Sequence, residues 1–363
     1  MKRIVHIVGA RPNYIKASPV VNTIDFAEQI VLNTGQHYDR NLSSDIAESL
    51  NMRPADINLN DGSNKFKNEF HRFSFLTEKI YKNLNNLKPN LVVVYGDVDS
   101  TLAAALVSSR MGIPIAHVES GLRSGDNRMP EELNRKMVDT LASLHFATED
   151  DGVKNLKREG FSNSIKFVGN SMIDSLKLML QSDIYKNSKY DNTNAILLTC
   201  HRPLNVDNRA SLEKVYDMCS TIDKKIAWPV HPRSMNSLKK FNLLEKFMRI
   251  KNLTLLGPLN YCDFVKMMNT STVVVTDSGG VQEETTYLKV PCLTIRENTE
   301  RPSTINVGTN TLIAIEDAPK MIENIYNNDY KNSTIPDLWD GEASKRISNS
   351  IFKFFEAQHR GKN

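Results

Sequence analysis

Short apolar runs recur along the chain with room for a helix between each pair. RIVHIVGA (3–10), QIVLNTG (29–35), LVVVYGD (91–97), PIAHVES (114–120), LHFATE (144–149) and IKFVGN (165–170) are apolar at consecutive positions, the pattern of strands buried on both faces of a parallel sheet. After the polar stretch SDIYKNSKYDNTN (182–194), the rhythm restarts with AILLTC, KIAWPVH, LTLLG, TVVVTDS and PCLTIRE. The pattern predicts an α/β chain with two doubly wound domains. The segment SKRISNSIFKFFEAQ (344–358) carries Ile347, Ile351, Phe354 and Phe355 at helical spacing, an apolar stripe that needs a surface to cover. Spacing alone leaves open which domain receives it.

Length agrees with two domains, since a chain of 363 residues is long for one core. With 46 Lys and Arg against 42 Asp and Glu, the formal charge of +4 is too mild for a nucleic-acid surface, and a small anion is the expected partner. Cys200, Cys219, Cys262 and Cys292 are widely separated, which predicts buried thiols of a reducing cytosol and neither a zinc site nor a disulfide framework. The apolar run of MKRIVHIVGARP stops at Ala10 and reads as a first strand rather than a leader. No stretch reaches the roughly 20 apolar residues that span a bilayer, so a cytoplasmic protein without a membrane partner is expected.

Two open α/β domains that face each other take ligands at the carboxyl ends of their strands, which makes an interdomain cleft the expected active site. Three carboxylates stand where such a cleft would want them: Asp97 closes LVVVYGD, Glu119 closes PIAHVE, and Glu131 follows Pro130 in RMPEELNR. If their strands are adjacent, they crowd one rim, and mutual repulsion would push at least one pKa upward into a range useful for proton transfer. Two of them also have a structural reading, Asp97 as a helix cap and Glu131 as a first-turn acid. Arg11, Lys16, His201, Arg202, His231, Arg233 and Arg301 also follow strands, a set of donors suited to a diphosphate. In TDSGGVQEE (276–284), Gly279 and Gly280 lie at a strand-to-helix turn whose N–H groups favour an anion. No G-x-G-x-x-G follows a strand and no P-loop motif occurs, so a dinucleotide or nucleoside triphosphatase is not expected. No cofactor and no metal are expected.

These stretches together resemble the non-hydrolysing UDP-N-acetylglucosamine 2-epimerase family. The likeness runs through GARPNYIKASPV, TGQHYD, YGDVDSTLAAAL, HVESGLRSGDNRMPEELNR, VGNSMID, HRPLNVD, PVHPR, TDSGGVQEE and ENTERP. It implies the GT-B arrangement of two Rossmann-like domains, here residues 1–168 and 169–343, with a last helix at about 344–363 that crosses back to the first domain. It also implies a homodimer, a UDP-sugar substrate, and reversible inversion at C2 of UDP-GlcNAc to UDP-ManNAc for surface polysaccharide synthesis. The family route is anti elimination of UDP and re-addition through a 2-acetamidoglucal.

Residue by residue, the resemblance makes Asp97, Glu119 and Glu131 the acid and base carboxylates and His201 the group that stabilises the departing diphosphate. Arg11, Lys16, Arg135 and His231 match further site positions; Ser278, Gly279 and Gly280 match the phosphate turn, Glu284 the ribose acceptor and Arg301 a phosphate contact. Phe264 falls where the family stacks an aromatic on uracil, while its periodicity fits a core Phe equally well. Glu283 and its neighbour point about 100° apart on a helix, so Glu283 is left to the dipole or to packing. Leu204 stands where many members carry Glu, which argues against activation by a second substrate molecule; Leu42 and Lys289 are local departures. A C2 epimerase of a UDP-diacetamido-uronic acid and a GT-B glycosyltransferase are the alternatives.

Overall fold

A computed structural model describes residues 1–35, 50, 52–59 and 66–360; TGQHYD from Gln36 onward and Leu42 lie outside the described residues. The chain divides into two compact units, Met1–Met179 with Asp337–Asn363, and Leu180–Pro336.

In the first unit, strands β1 (Arg3–Val8), β2 (Glu28–Asn33), β3 (Ile57–Asn58), β4 (Leu91–Tyr95), β5 (Ile115–Ser120), β6 (Leu144–Ala147) and β7 (Ile165–Phe167) form one sheet in the order β3-β2-β1-β4-β5-β6-β7. Every pairing is parallel. β4 is LVVVY with all five side chains buried, as expected of β-branched residues in the middle of a sheet covered on both faces. Val5, Ile7, Val92 and Val94 pack against Leu76, Ile80 and Leu84 of helix Glu69–Leu87 and the alanines of helix Asp99–Arg110. Each such aliphatic side chain contributes about 1.5–3 kcal/mol on burial.

In the second unit, β8 (Ala195–Thr199), β9 (Lys225–Pro229), β10 (Leu253–Leu256), β11 (Val273–Thr276), β12 (Cys292–Thr294) and β13 (Asn310–Leu312) repeat the plan in the order β10-β9-β8-β11-β12-β13, again all parallel. Its core joins Ile196, Leu198, Val273, Val275 and Leu293 to Trp228 and Phe247. Strand order reverses between β1 and β4 in one sheet and between β8 and β11 in the other. Crevices outside the carboxyl ends of strands at such switch points are where doubly wound sheets bind ligands.

The first unit runs past residue 168 because helix Ser171–Gln181 is fastened to it. Ser175 Oγ donates to the Ile15 carbonyl, and Asp174 accepts the N–H groups of Ala343 (3.1 Å) and Ser344 (2.7 Å). Those two residues open helix Ala343–Arg360, where Asp174 stands in for a cap and satisfies first-turn donors. The stripe of that helix closes on the same unit, with Ile347, Ile351 and Phe355 buried and Phe352 edge-on to Phe26 at 5.2 Å. Trp339 is buried and donates its indole N–H to the Thr148 carbonyl, which brings the returning chain in ahead of the helix.

Candidate active site

The first unit gathers its polar residues beyond β1, β4 and β5. After β1 the chain turns directly into helix Arg11–Thr23, and Asn13 closes the turn by accepting the N–H groups of Gly9 (3.2 Å) and Ala10 (3.0 Å). Its amide donates to the Tyr95 carbonyl at 2.8 Å, which ties the end of β1 to the end of β4. One turn further along the helix, Lys16 is buried and paired with Glu119. The Arg11 side chain falls outside the described residues.

Gly96 follows β4 at φ +65°, and a Cβ there would lie 3.2 Å from Lys16 Nζ. Glycine suits both the left-handed backbone and the close approach. Glu119 also has a positive φ, 75°, and sits where the β5–β6 register shifts between Val118 and Ser120. A bulge re-aims its side chain, and a glutamate in this conformation is held there at a cost of about 1–3 kcal/mol. The carboxylate is thereby carried to Lys16.

Asp97, the next strand-end acid, is paired with Arg135 of helix Pro130–Leu141, while Asn134 donates to the Asp97 carbonyl at 2.9 Å. Arg135 also holds Glu132 at 2.7 Å. Glu132 in turn accepts the Ser124 N–H and hydroxyl; burial would raise its pKa, but these bonds and Arg135 lower it. Glu131 is half-buried and has no ion-pair partner among the described residues. The expected crowding of three acids is therefore resolved differently: Asp97 and Glu119 each face a cation of their own.

Beneath these residues lies a buried histidine–aspartate contact that the sequence did not announce. His117 Nδ1 meets Asp139 at 2.6 Å and its Nε2 donates to the Gly96 carbonyl at 2.9 Å. Asp139 also accepts the Gly121 N–H at 3.0 Å and Arg123 at 2.8 Å. Burial alone would raise the Asp139 pKa; the neighbouring His117 and Arg123 outweigh it and hold it at about 2. The pair braces the turn before Asp97 and the bulge of Glu119 together. Gly121, at φ +83°, packs so closely on the Gly152 backbone that any side chain would collide.

The second unit is organised around Asp277, which is fully buried at the end of β11. It accepts the N–H groups of His201 and Arg202 and the Asn205 amide at 2.8–3.1 Å, fixing HRPLN beside TDSGG. The His201 ring lies with Nδ1 3.3 Å from Asp277 and its centroid 5.0 Å from that of His231. Desolvation lowers the His201 pKa, helped by Arg202 and Arg233 and opposed by Asp277, so the ring is neutral at neutral pH. His231 caps helix Pro232–Lys240 by accepting the Arg233 N–H at 3.1 Å.

Helix Gly279–Leu288 begins at the glycine pair, with Ser278 as its N-cap residue and no side-chain cap bond. A Cβ on Gly279 would come within 2.5 Å of Arg301 Nη1, so the guanidinium lies directly on the turn. Arg301 is held there by Glu283 at 2.9 Å and by Glu300, which also holds Arg296 at 2.9 Å. Desolvation lowers the Arg296 pKa, against the pull of Glu300. Gln282 accepts from Thr299 (2.7 Å) and Asn310 (3.0 Å), clamping ENTERP onto the same helix. Glu283 thus packs against arginine as its rotation about the helix requires. Glu284 faces elsewhere, accepting the Tyr261 hydroxyl at 2.8 Å. Phe264 is half-buried on helix Tyr261–Thr270, whose Val265, Met267 and Met268 are buried.

Lys16, Asp97, Glu119 and Arg135 are thus brought together in one unit. The other groups His201 with His231, Ser278, Gly279 and Gly280 with Arg301, and Glu284 with Tyr261. Asn13, His117, Glu132, Asp139, Tyr261, Asp277 and Glu300 complete these clusters and were not singled out from sequence. One usable signal existed: Glu132, Arg135 and Asp139 share one face of their helix, so charged residues recur on the face that also carries Val138.

A family model described as UDP-N-acetylglucosamine 2-epimerase matches residues 21–352. A UDP-N-acetylglucosamine 2-epimerase homolog of Methanococcus maripaludis is 41% identical over 332 residues, 89% of this chain and 91% of that protein. The UDP-N-acetylglucosamine 2-epimerase of Methanocaldococcus jannaschii is 38% identical over 357 residues, covering 94% of this chain and 96% of its own. A crystal structure of UDP-GlcNAc 2-epimerase from the same organism, in complex with UDP-GlcNAc and UDP, superposes with a TM-score of 0.86 at 36% identity, over 97% of this chain and 99% of that one. With most of its length matched in sequence and in fold, the chain belongs to the UDP-N-acetylglucosamine 2-epimerase family.

Proposed function

We propose that the protein interconverts UDP-GlcNAc and UDP-ManNAc by inverting C2, through anti elimination of UDP and its re-addition to a 2-acetamidoglucal. The observation that carries this reading is the pairing of two strand-end carboxylates with separate buried cations, Glu119 with Lys16 and Asp97 with Arg135. Inversion needs proton transfer on both faces of C2, and a single fixed side chain reaches only one. Two carboxylates in different surroundings, with Glu131 beside them on the Arg135 helix, meet that need.

The C2 proton has no adjacent carbonyl to acidify it. Cleavage of the C1–O bond must therefore lead, building positive charge on the sugar as the diphosphate departs with the bonding pair. A carboxylate then removes the C2 proton and the C1–C2 double bond forms. Return of a proton to the opposite face of C2, with attack of a UDP oxygen at C1, completes a balanced isomerisation. The Leu180–Pro336 unit is assigned the nucleotide: diphosphate at Ser278, Gly279, Gly280 and Arg301, with His201 and His231 as imidazole partners, ribose at Glu284 and uracil at Phe264. Lys16 and Arg135, with Arg11, supply positive charge in the unit that carries the acids. A homodimer in the cytoplasm, supplying activated ManNAc to a surface polysaccharide, completes the proposal.

Incubation with UDP-GlcNAc in deuterated water, followed by NMR, tests it. Expected are UDP-ManNAc and deuterium at C2 of both sugars. Free ManNAc would replace the reading with a hydrolysing one. Absence of both exchange and product, with exchange seen instead on a UDP-diacetamido-uronic acid, would move the substrate assignment.

A further inference from the structure

Buried carboxylates are costly unless donors solvate them. Glu284 is 3% exposed, while its neighbour Glu283 pairs with Arg301. Glu284 accepts the hydroxyl of Tyr261, itself 1% exposed, at 2.8 Å. The bond is directional. A phenol that donates to a carboxylate fixes its rotation, and a carboxylate with about four lone-pair sites can accept several donors at once.

Tyr261 also stands where it can link two parts of a nucleotide site. It is the first residue of helix Tyr261–Thr270, and Phe264 lies three residues on, along the same side of that helix. The helix start is secured independently of Tyr261. Asn260 accepts the Asp263 N–H and donates to the Asp263 carboxylate, both at 2.8 Å, and Ser188 donates to the same carboxylate at 2.7 Å.

We propose that Tyr261 is a positioning residue that holds Glu284 aimed at the vicinal hydroxyls of a ribose, so that the site selects ribonucleotides over deoxyribonucleotides. The proposal rests on the assignment of ribose to Glu284 and deepens it. Tyr261 touches no substrate. It acts through the carboxylate, so its removal harms chiefly ligands that bear those hydroxyls.

Calorimetric titration of UDP and of 2′,3′-dideoxyuridine diphosphate into the wild type, Tyr261→Phe, Glu284→Ala and the double variant tests this. Tyr261→Phe keeps the ring and its packing; its melting temperature, followed by circular dichroism, reports on the fold. Expected is a loss of about tenfold in UDP affinity for Tyr261→Phe, with the dideoxy compound changed less than about twofold. Adding Tyr261→Phe to Glu284→Ala should cost nothing further. Equal losses for both ligands would make Tyr261 a merely structural group and overturn the proposal, as would an unchanged UDP affinity. A separate result would strike the ribose assignment itself: Glu284→Ala weakening UDP and its dideoxy analogue equally, in which case the role of Tyr261 falls with it.

Discussion

The two units share one sheet plan but stabilise their polar sites by opposite means. In the first, the strand ends are occupied by ion pairs: Lys16 with Glu119, Arg135 with Asp97 and Glu132, and His117 and Arg123 with Asp139. In the second, the organising carboxylate Asp277 collects backbone and amide N–H donors, and Gln282, Thr299 and Asn310 bind one another without charge. The difference matches the proposed division of labour. Proton transfer needs acids held in place, as by the cations paired with them, whereas a diphosphate needs N–H donors, which a scaffold built on hydrogen bonds helps to order. Arg301 and Arg296 are exceptions: Arg301 is pressed onto the glycine turn and restrained by Glu283 and Glu300, and Glu300 also pairs with Arg296.

That contrast can be broken most sharply at Glu119. Glu119→Gln keeps size and hydrogen-bonding reach but removes the acid, and C2 deuterium exchange should fall by about 10²–10⁴-fold. UDP affinity measured by calorimetry should change little, because the nucleotide is assigned to the other unit. A loss of UDP binding comparable to the loss of exchange would erase the division of labour.

Asp139 tests whether the first unit depends on its buried charges for stability. Removing one partner of a buried ion pair costs about 3–5 kcal/mol, so Asp139→Ala should lower the urea midpoint by that equivalent, and hydrogen exchange should localise the loss to β4 and β5. Uniform loosening of both units would argue against it. The same group sets an acid limb. Its folded pKa, about 2, lies below its ordinary 3.8, so its stabilisation is complete above pH 4 and vanishes as pH falls through 2. That contribution is about 2 kcal/mol, and Asp139→Asn should flatten the limb in urea titrations between pH 4 and 2.

The smallest effect is expected at His201. Its pKa is lowered in the free protein, chiefly by desolvation, and a diphosphate beside it would raise it again. UDP-GlcNAc binding just below pH 6.5 should therefore take up a fraction of a proton, seen as a dependence of calorimetric enthalpy on buffer ionisation. His201→Asn should abolish the uptake. If the variant keeps it, another group titrates on binding.

Much of this molecule could be read from its chain. Runs such as LVVVY and VVVT are strands because consecutive β-branched residues suit only a sheet covered on both faces, and the restart after residue 194 marks a second sheet. The 100° step of a helix was enough to give Glu283 and Glu284 different surroundings. The glycine turn, the strand-end acids and the strand-end bases were legible because each sits where its own strand stops.

Other decisions belonged to the tertiary structure, for a common physical reason. Strand order, the fastening of helix Ser171–Gln181 by Asp174, and the partners of Asp277, Asp139 and Tyr261 all join residues far apart in the chain. Local spacing carries no record of such pairs, since each residue alone fits a cap, a helix face or a core position. The sequence by itself determined where reactive groups could emerge from the sheets. Only folding decided which cation would face which acid, because long-range packing, and not periodicity, sets the distances on which burial and charge act.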